Sequence, residues 1–223
     1  MTVKVAKFVQ QITYWPIYLS LKFFTRYQVE GQENLEWLGN EAIIFASNHA
    51  SYVDGPICAA AMPREGLTPK SFSPIRFLAA REYCFWRTSP FPFPISVLTT
   101  AYVRLNGSVP VCRGGADELS NKLKDAVEAL GSGAKLWIYP EGKITRDGNL
   151  QSGKRGAAYL HQATGAVVVP VGLIGTFKIL SFKTLLGGTK VKIRIGKPIY
   201  SLGEVSLEQG TEKIMAEIAK LLK

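Results

Sequence analysis

Four short apolar runs, residues 42–46, 75–80, 134–139 and 166–171, set what this chain can fold into. Each is too short for an ordinary helix and reads as a strand, most of them buried. Helical stripes lie between and after them. Leu119, Leu123, Ala126, Val127 and Leu130 share one face and stop at Gly131, as an amphipathic helix with a glycine stop would. Leu207, Ile214, Ile218 and Leu221 stripe the C-terminal segment, and another helix is expected over 154–164. Strands alternating with helices predict an α/β fold: a mixed, largely parallel central sheet flanked by helices. Shorter strands are read at 27–31, 107–114 and 190–195, and a short helix at 82–87, while residues 96–105 read equally as helix or strand. A length of 223 residues suits a single domain over 27–223 preceded by an N-terminal segment, 1–26.

That N-terminal segment places Val3, Val5, Phe8, Val9, Ile12, Trp15, Leu19 and Phe23 largely on one helical face, with Lys4, Lys7, Lys22 and Arg26 near its ends. The uncharged part, residues 8–21, includes glutamines, a threonine and a serine. A spanning helix needs about 20 mostly apolar residues, so a crossing is not expected. Nor is there a clean apolar core with a cleavage site, as in a signal peptide. Pro16 predicts a break or kink. Two readings remain: an amphipathic helix, or bent helical pair, lying in a membrane interface, and a helix packed on the domain's own core.

The formal net charge is +10, which points to an anionic partner: nucleic acid, an acidic membrane surface or a phosphorylated substrate. Cys58, Cys84 and Cys112 are odd in number and widely spaced, so neither a disulfide framework nor a zinc site is expected. All three read as buried structural thiols.

Chemistry-bearing residues gather in the turns that follow three of the strands. After residues 42–46 comes Asn48-His49-Ala50-Ser51-Tyr52-Val53-Asp54, a histidine with a carboxylate five residues on. A carboxylate on the far ring nitrogen would orient the imidazole as a base and stabilise the imidazolium that forms. The same pair, taken alone, also reads as a core or capping histidine with Asp54 capping the next helix. The second turn delivers Arg113. The third, Tyr139-Pro140-Glu141-Gly142-Lys143-Ile144-Thr145-Arg146, delivers Glu141, Lys143 and Arg146, with Lys154 and Arg155 opening the following helix. In open α/β sheets ligands sit beyond the carboxyl ends of the strands, so all three turns are expected to face one crevice. A base among cations suits deprotonating a hydroxyl on a phosphorylated substrate. Each basic residue alone reads equally as solvated surface. His161, among Ala157, Leu160 and Ala163, reads as structural.

These segments together resemble the glycerolipid acyltransferases of the 1-acylglycerol-3-phosphate acyltransferase type. Residues 48–54 match that family's NHxSxxD motif. Gly107 to Arg113 is similar to its second block, Tyr139-Pro140-Glu141-Gly142 to its third, and Val167-Val168-Val169-Pro170-Val171 to its fourth, over about residues 27–200. The resemblance implies that His49 with Asp54 activates the hydroxyl of 1-acylglycerol-3-phosphate (lysophosphatidic acid). The hydroxyl then attacks acyl-CoA or acyl-carrier protein, giving phosphatidic acid with no acyl-enzyme. It further implies that Arg113 and Glu141 hold the acceptor's glycerol phosphate. From the residues themselves, Gly142, Lys143, Arg146 and Lys154 are expected to line the same acceptor site, with Glu141 meeting a substrate hydroxyl or bracing the cations. No resident cofactor is expected, and the charge and the N-terminal segment suggest a monotopic or peripheral protein at the cytoplasmic face of an anionic membrane. In one place the chain departs from the family: Lys143-Ile144 stands where the third block has Thr-Arg. The lysine is a point charge without arginine's bidentate fork. This admits another lysophospholipid or amphiphilic alcohol as acceptor.

Two further classes are weighed. A nucleic-acid binder fits the charge, but no RNA-recognition signature, zinc-finger spacing or basic helix is present. A non-catalytic lipid-binding protein on the same scaffold would not need the His49/Asp54 pair.

Overall fold

The computed structural model describes residues 3–39, 41–66, 68–69, 72–112, 118–177 and 179–223, with the backbone alone at 68, 69, 183 and 185. Helix α1 (Val3–Phe24) leads directly into strand β1 (Thr25–Glu30). Then come β2 (Ile43–Ser47), α2 (Asp54–Ala60), a two-stranded hairpin of β3 (Arg64–Glu65) and β4 (Thr68–Pro69), and β5 (Ile75–Ala80). The middle of the chain supplies α3 (Ile95–Leu105), β6 (Val109–Val111), α4 (Leu119–Lys122), α5 (Lys124–Gly131) and β7 (Lys135–Ile138). Last are α6 (Gly156–Thr164), β8 (Val167–Ile174), α7 (Phe182–Leu185), β9 (Thr189–Ile195) and α8 (Leu207–Leu221). The main sheet has the order β1-β9-β8-β2-β7-β5-β6, parallel throughout except for the β8–β9 pair.

The central strands are apolar between their end residues Ser47 and Lys135 because both sheet faces are covered. Along β2, Ile43 and Phe45 enter the core under α1 and α2, whereas Ile44 and Ala46 enter the core under α5, α6 and α8. The same alternation places Val167, Val169 and Val171 on the first face and Val168 on the second. Phe45 stacks on Trp137 at 5.0 Å, a contact worth about 0.5–1.5 kcal/mol beyond its burial. Ser206 and Gln209 close α8 with a capping box, which contributes about 1 kcal/mol.

Local details depart from the sequence expectations in several places. The stripe from Leu119 forms two short helices. Residues 81–84 make a 3₁₀ turn where a longer helix was expected, and residues 96–105 are helical. Cys112 is exposed, unlike Cys58 and Cys84. The α1 helix runs through Pro16 as one element. It is held on both sides of the proline. Gln10 donates to the carbonyls of Ile75 and Asn106 and accepts from Ile75 N. Further along, Tyr14, Ile17, Tyr18 and Leu21 pack on the first core, with the Arg64 guanidinium 3.7 Å over the Tyr14 ring. One face of α1 is therefore docked. The stripe read from the sequence lies outward, with Phe8, Ile12, Leu19 and Phe23 all exposed. No helix among the described residues is long and apolar enough to cross a membrane.

Candidate active site

Strands β8, β2 and β7 lie side by side at the sheet centre, and the turns leaving them are bonded into one corner. Asn48, immediately past β2, continues the β2–β8 ladder with its side chain. Its Nδ2 donates to Leu173 O at 2.9 Å and its Oδ1 accepts from Leu173 N at 2.7 Å. One step on, the chain turns and His49 Nδ1 donates to Asp54 Oδ2 at 2.9 Å. Asp54 opens α2 and is completely buried. The same Oδ2 also accepts from the N–H groups of Ala50 and Ser51 at 2.7 and 2.8 Å. The carboxylate thus folds the turn back on itself while orienting the ring. With Nδ1–H on the carboxylate, Nε2 carries the lone pair. No hydrogen bond from the described residues reaches Nε2.

The third turn braces the first. Glu141 is 1% exposed. Its Oε1 accepts from His49 N at 2.7 Å and its Oε2 from Gln151 N at 2.8 Å, while His49 O accepts from Thr145 N at 2.9 Å. Burial pushes the Glu141 carboxyl above its ordinary value, and the Gln151 and His49 N–H groups pull against that shift. Tyr139 lies flat against the His49 ring, centroids 3.8 Å apart. Burial holds the Tyr139 hydroxyl and the neighbouring Cys58 thiol well above their ordinary values, so both stay neutral. Cys58 is therefore no thiolate nucleophile.

Around the corner stand the cations expected from the sequence. Lys143, Arg146 and Lys154 are exposed. Gly142 has φ +69°, and a Cβ built there would come within 3.0 Å of Lys154 Nζ. Glycine therefore serves both the left-handed turn and the close approach of the lysine. The loop carrying Arg146 is tied by Asp147. That carboxylate accepts from Asn149 Nδ2, Thr145 Oγ1 and Asn149 N at 2.7–3.1 Å, which lowers its pKa to about 2, and from Gln151 Nε2 at 3.2 Å. Arg113 lies outside the described residues. Strand β6, which leads towards it, ends at Val111 and runs parallel to β5. His161 stands elsewhere. Its Nδ1 donates to Ala166 O at 2.8 Å and its Nε2 accepts from Leu202 N at 3.3 Å, as a structural histidine should.

An apolar cavity of about 580 Å³ lies beside this corner, between α1, the start of α2 and residues 179–184. Val53, Pro56 and Ile57 form its wall next to Asp54. The Phe91-Pro92-Phe93-Pro94 corner lines no part of this cavity. Phe93 is exposed, and the Phe91 ring packs on Tyr52 of the histidine turn at 5.2 Å.

The acyltransferase family model matches residues 26–174, from β1 to the end of β8, so it contains the whole corner. The chain belongs to the acyltransferase family. Two chloroplastic 1-acyl-sn-glycerol-3-phosphate acyltransferases are similar to it over 199 residues, one from Arabidopsis thaliana at 31% identity and one from Brassica napus at 28%. Each alignment covers 88% of this chain but 50% and 52% of the relative, so the chain spans about half the length of these curated relatives. The crystal structure of the 1-acyl-sn-glycerophosphate acyltransferase PlsC from Thermotoga maritima shares the fold. It superposes with a TM-score of 0.62 at 23% identity over 97% of this chain and 76% of that one.

Within this family framework three contributors to the corner were not assigned by the sequence reading: Asn48 as a side-chain rung of the sheet, Tyr139 as the stacking partner of His49, and the backbone of Gln151. Glu141 was expected to meet a substrate hydroxyl or to brace the neighbouring cations. Its two oxygens instead meet backbone N–H groups beneath the surface.

Proposed function

We propose that the chain transfers a fatty acyl group from acyl-CoA or acyl-carrier protein to the free hydroxyl of 1-acylglycerol-3-phosphate, giving phosphatidic acid. The observation that carries this reading is the His49–Asp54 pair at 2.9 Å, with exposed lysine and arginine side chains on the turn that braces it. Nε2 takes the proton as the acceptor oxygen attacks the thioester carbonyl. The buried Asp54 carboxylate stabilises the imidazolium formed. The C–S bond then breaks, the new C–O ester bond remains, and the imidazolium returns its proton to the thiolate. Glu141 acts as a brace that sets the height of His49. Lys154, Lys143 and Arg146 receive the phosphate, joined by Arg113 as the resemblance implies, and the apolar cavity takes an acyl chain. The names of the curated relatives support this choice of acceptor.

Ile144, at the position where the family has arginine, favours a second reading in which the acceptor is another lysophospholipid. The test is product formation by the purified chain with acyl-CoA, then with acyl-carrier protein, against a panel of lysolipids in vesicles. Phosphatidic acid is the expected product. A diacyl product from a different lysolipid alone moves the acceptor, and a blank with both donors across the panel sinks the acyl-transfer reading.

A further inference from the structure

The cavity beside the active-site corner opens between three segments that leave large apolar side chains in water. On α1, the wall residues Thr13, Pro16, Ile17, Ser20 and Phe24 adjoin the outward stripe that ends in Leu19 and Phe23, 58% and 80% exposed. On α3, Tyr102 lines the cavity. Ile95, Leu98 and Leu105, at helical spacing from it, point outward. Across the mouth, Leu180 both lines the cavity and is 75% exposed, followed by Phe182 at 74% and Leu186 at 72%. Side chains of this size, exposed together around an opening, form an interaction surface.

Charge identifies what covers it. None of the three segments, residues 3–26, 93–105 and 179–190, contains an aspartate or a glutamate. Arg26 and Lys190 face each other in register on β1 and β9, one residue beyond the mouth. The rim is mechanically continuous there. Thr184, in the cavity wall, hydrogen-bonds Thr189 at 2.9 Å, and Thr189 pairs with Thr25 at the end of α1. Apolar side chains backed by cations, with no acidic residue between them, match the two layers of an anionic phospholipid surface: acyl chains for the rim and phosphates for the cations.

We infer that residues 179–190 form a second membrane-inserting edge opposite α1, so that the cavity opens laterally into the acyl layer of an anionic bilayer and receives a lipid chain without passing it through water. The use of that chain rests on the acyl-transfer reading, but the docking itself does not. The segment 180–186 is thereby part of the membrane surface, alongside the N-terminal helix.

The test compares the full chain with F182S/L186S, two exposed positions outside the cavity wall. Sedimentation with phosphatidylcholine vesicles, with and without phosphatidylglycerol, reads the docking. Turnover of a short-chain acceptor dissolved as monomers reads the chemistry. Phosphatidylglycerol is expected to strengthen binding of the parent, and the double variant to partition about tenfold less or weaker, with turnover of the dissolved acceptor unchanged. Equal partitioning of the two proteins overturns the inference, as does concentration-dependent dimerisation that the double variant abolishes. Phe182→Trp gives an independent readout. Quenching of its added fluorescence by brominated acyl chains is expected, and no added quenching overturns the inference. A blank with the dissolved acceptor in the parent would count against acyl transfer and leave the vesicle result to decide the docking.

Discussion

The two histidines of this chain are built alike on one side and differently on the other. Both tie Nδ1 to an acceptor five residues on: His49 to the Asp54 carboxylate at 2.9 Å, His161 to the Ala166 carbonyl at 2.8 Å. The far nitrogens differ. His161 Nε2 accepts from Leu202 N, which joins α6 to the segment before α8, while His49 Nε2 is met by no described residue. A shared spacing of five therefore says nothing about function. A base needs two further conditions, a negative charge behind the ring and an open lone pair in front of it.

The largest expected effect follows from that difference. Replacing His49 by alanine should lower turnover about 10³- to 10⁴-fold and leave stability within about 1 kcal/mol. His161→Ala should do the reverse. It strands the buried Leu202 N–H and Ala166 carbonyl, for about 2–4 kcal/mol of stability, and leaves the residual folded protein active. Parallel turnover and urea-unfolding measurements check both, and similar losses from the two variants would break the comparison. Asp54→Asn sharpens it. An asparagine oxygen can still accept from Ala50 N, Ser51 N and His49 Nδ1, so the turn survives and the charge alone is removed. Turnover should fall on the order of 10²-fold with little change in fold. A variant as active as the parent would show that orientation, and not charge, is what Asp54 supplies.

Much of this contrast was open to sequence reasoning, and the part that was not has a physical cause. The strands were legible because residues covered on both sheet faces are apolar throughout, as Ile43 to Ala46 are. The convergence of the His49 and Glu141 turns followed from parallel strands ending on one edge. Residues 96–105 resisted because β-branched residues interrupt a helical stripe, so propensity and period disagreed. Pro16 predicted a break or kink, and α1 runs through it as one element, held by contacts from Gln10 and Leu21. The partners of Glu141 were not legible for a different reason. Its partners are the backbone N–H groups of His49 and Gln151, and a backbone donor leaves no trace in residue identity. Asn48 bridging to Leu173, 125 positions away, is equally silent.

The backbone under the two rings differs as well. His161 stands on a helix whose own hydrogen bonds set its position, whereas His49 stands on a turn whose N–H is held by a buried carboxylate. Glu141→Gln separates these supports. A glutamine offers one acceptor oxygen to two N–H groups and turns its own amide donors on the other. A loss of about 1–3 kcal/mol is expected. Amide exchange should rise at His49 and Gln151 and stay unchanged at Leu202. Unchanged protection at His49 would mean that the Thr145 and Asp54 contacts suffice to hold the turn.

The smallest effect concerns pH, and it acts through the loop beneath His49. Asp147 ties down residues 145–151, the loop that closes on His49 O, and its pKa is lowered from 3.8 to about 2. A carboxyl depressed on folding stabilises the folded state fully above its unfolded value, and that stabilisation disappears as pH falls through the folded value. The window is therefore from about pH 4 down to about pH 2. Glu141 runs the opposite way. Its raised value makes the folded state hold the proton more tightly, so its contribution declines as pH rises through the ordinary glutamate range. Asp147→Asn should lower the unfolding temperature slightly at pH 5 and converge on the parent near pH 2. The carboxylate is exposed, so solvent screens the effect. The test is a pair of thermal-unfolding series from pH 5 to pH 2. Parallel curves would remove Asp147 from the account of the loop. Convergence at low pH would show that the base His49 stands on a hydrogen-bonded loop that acid loosens.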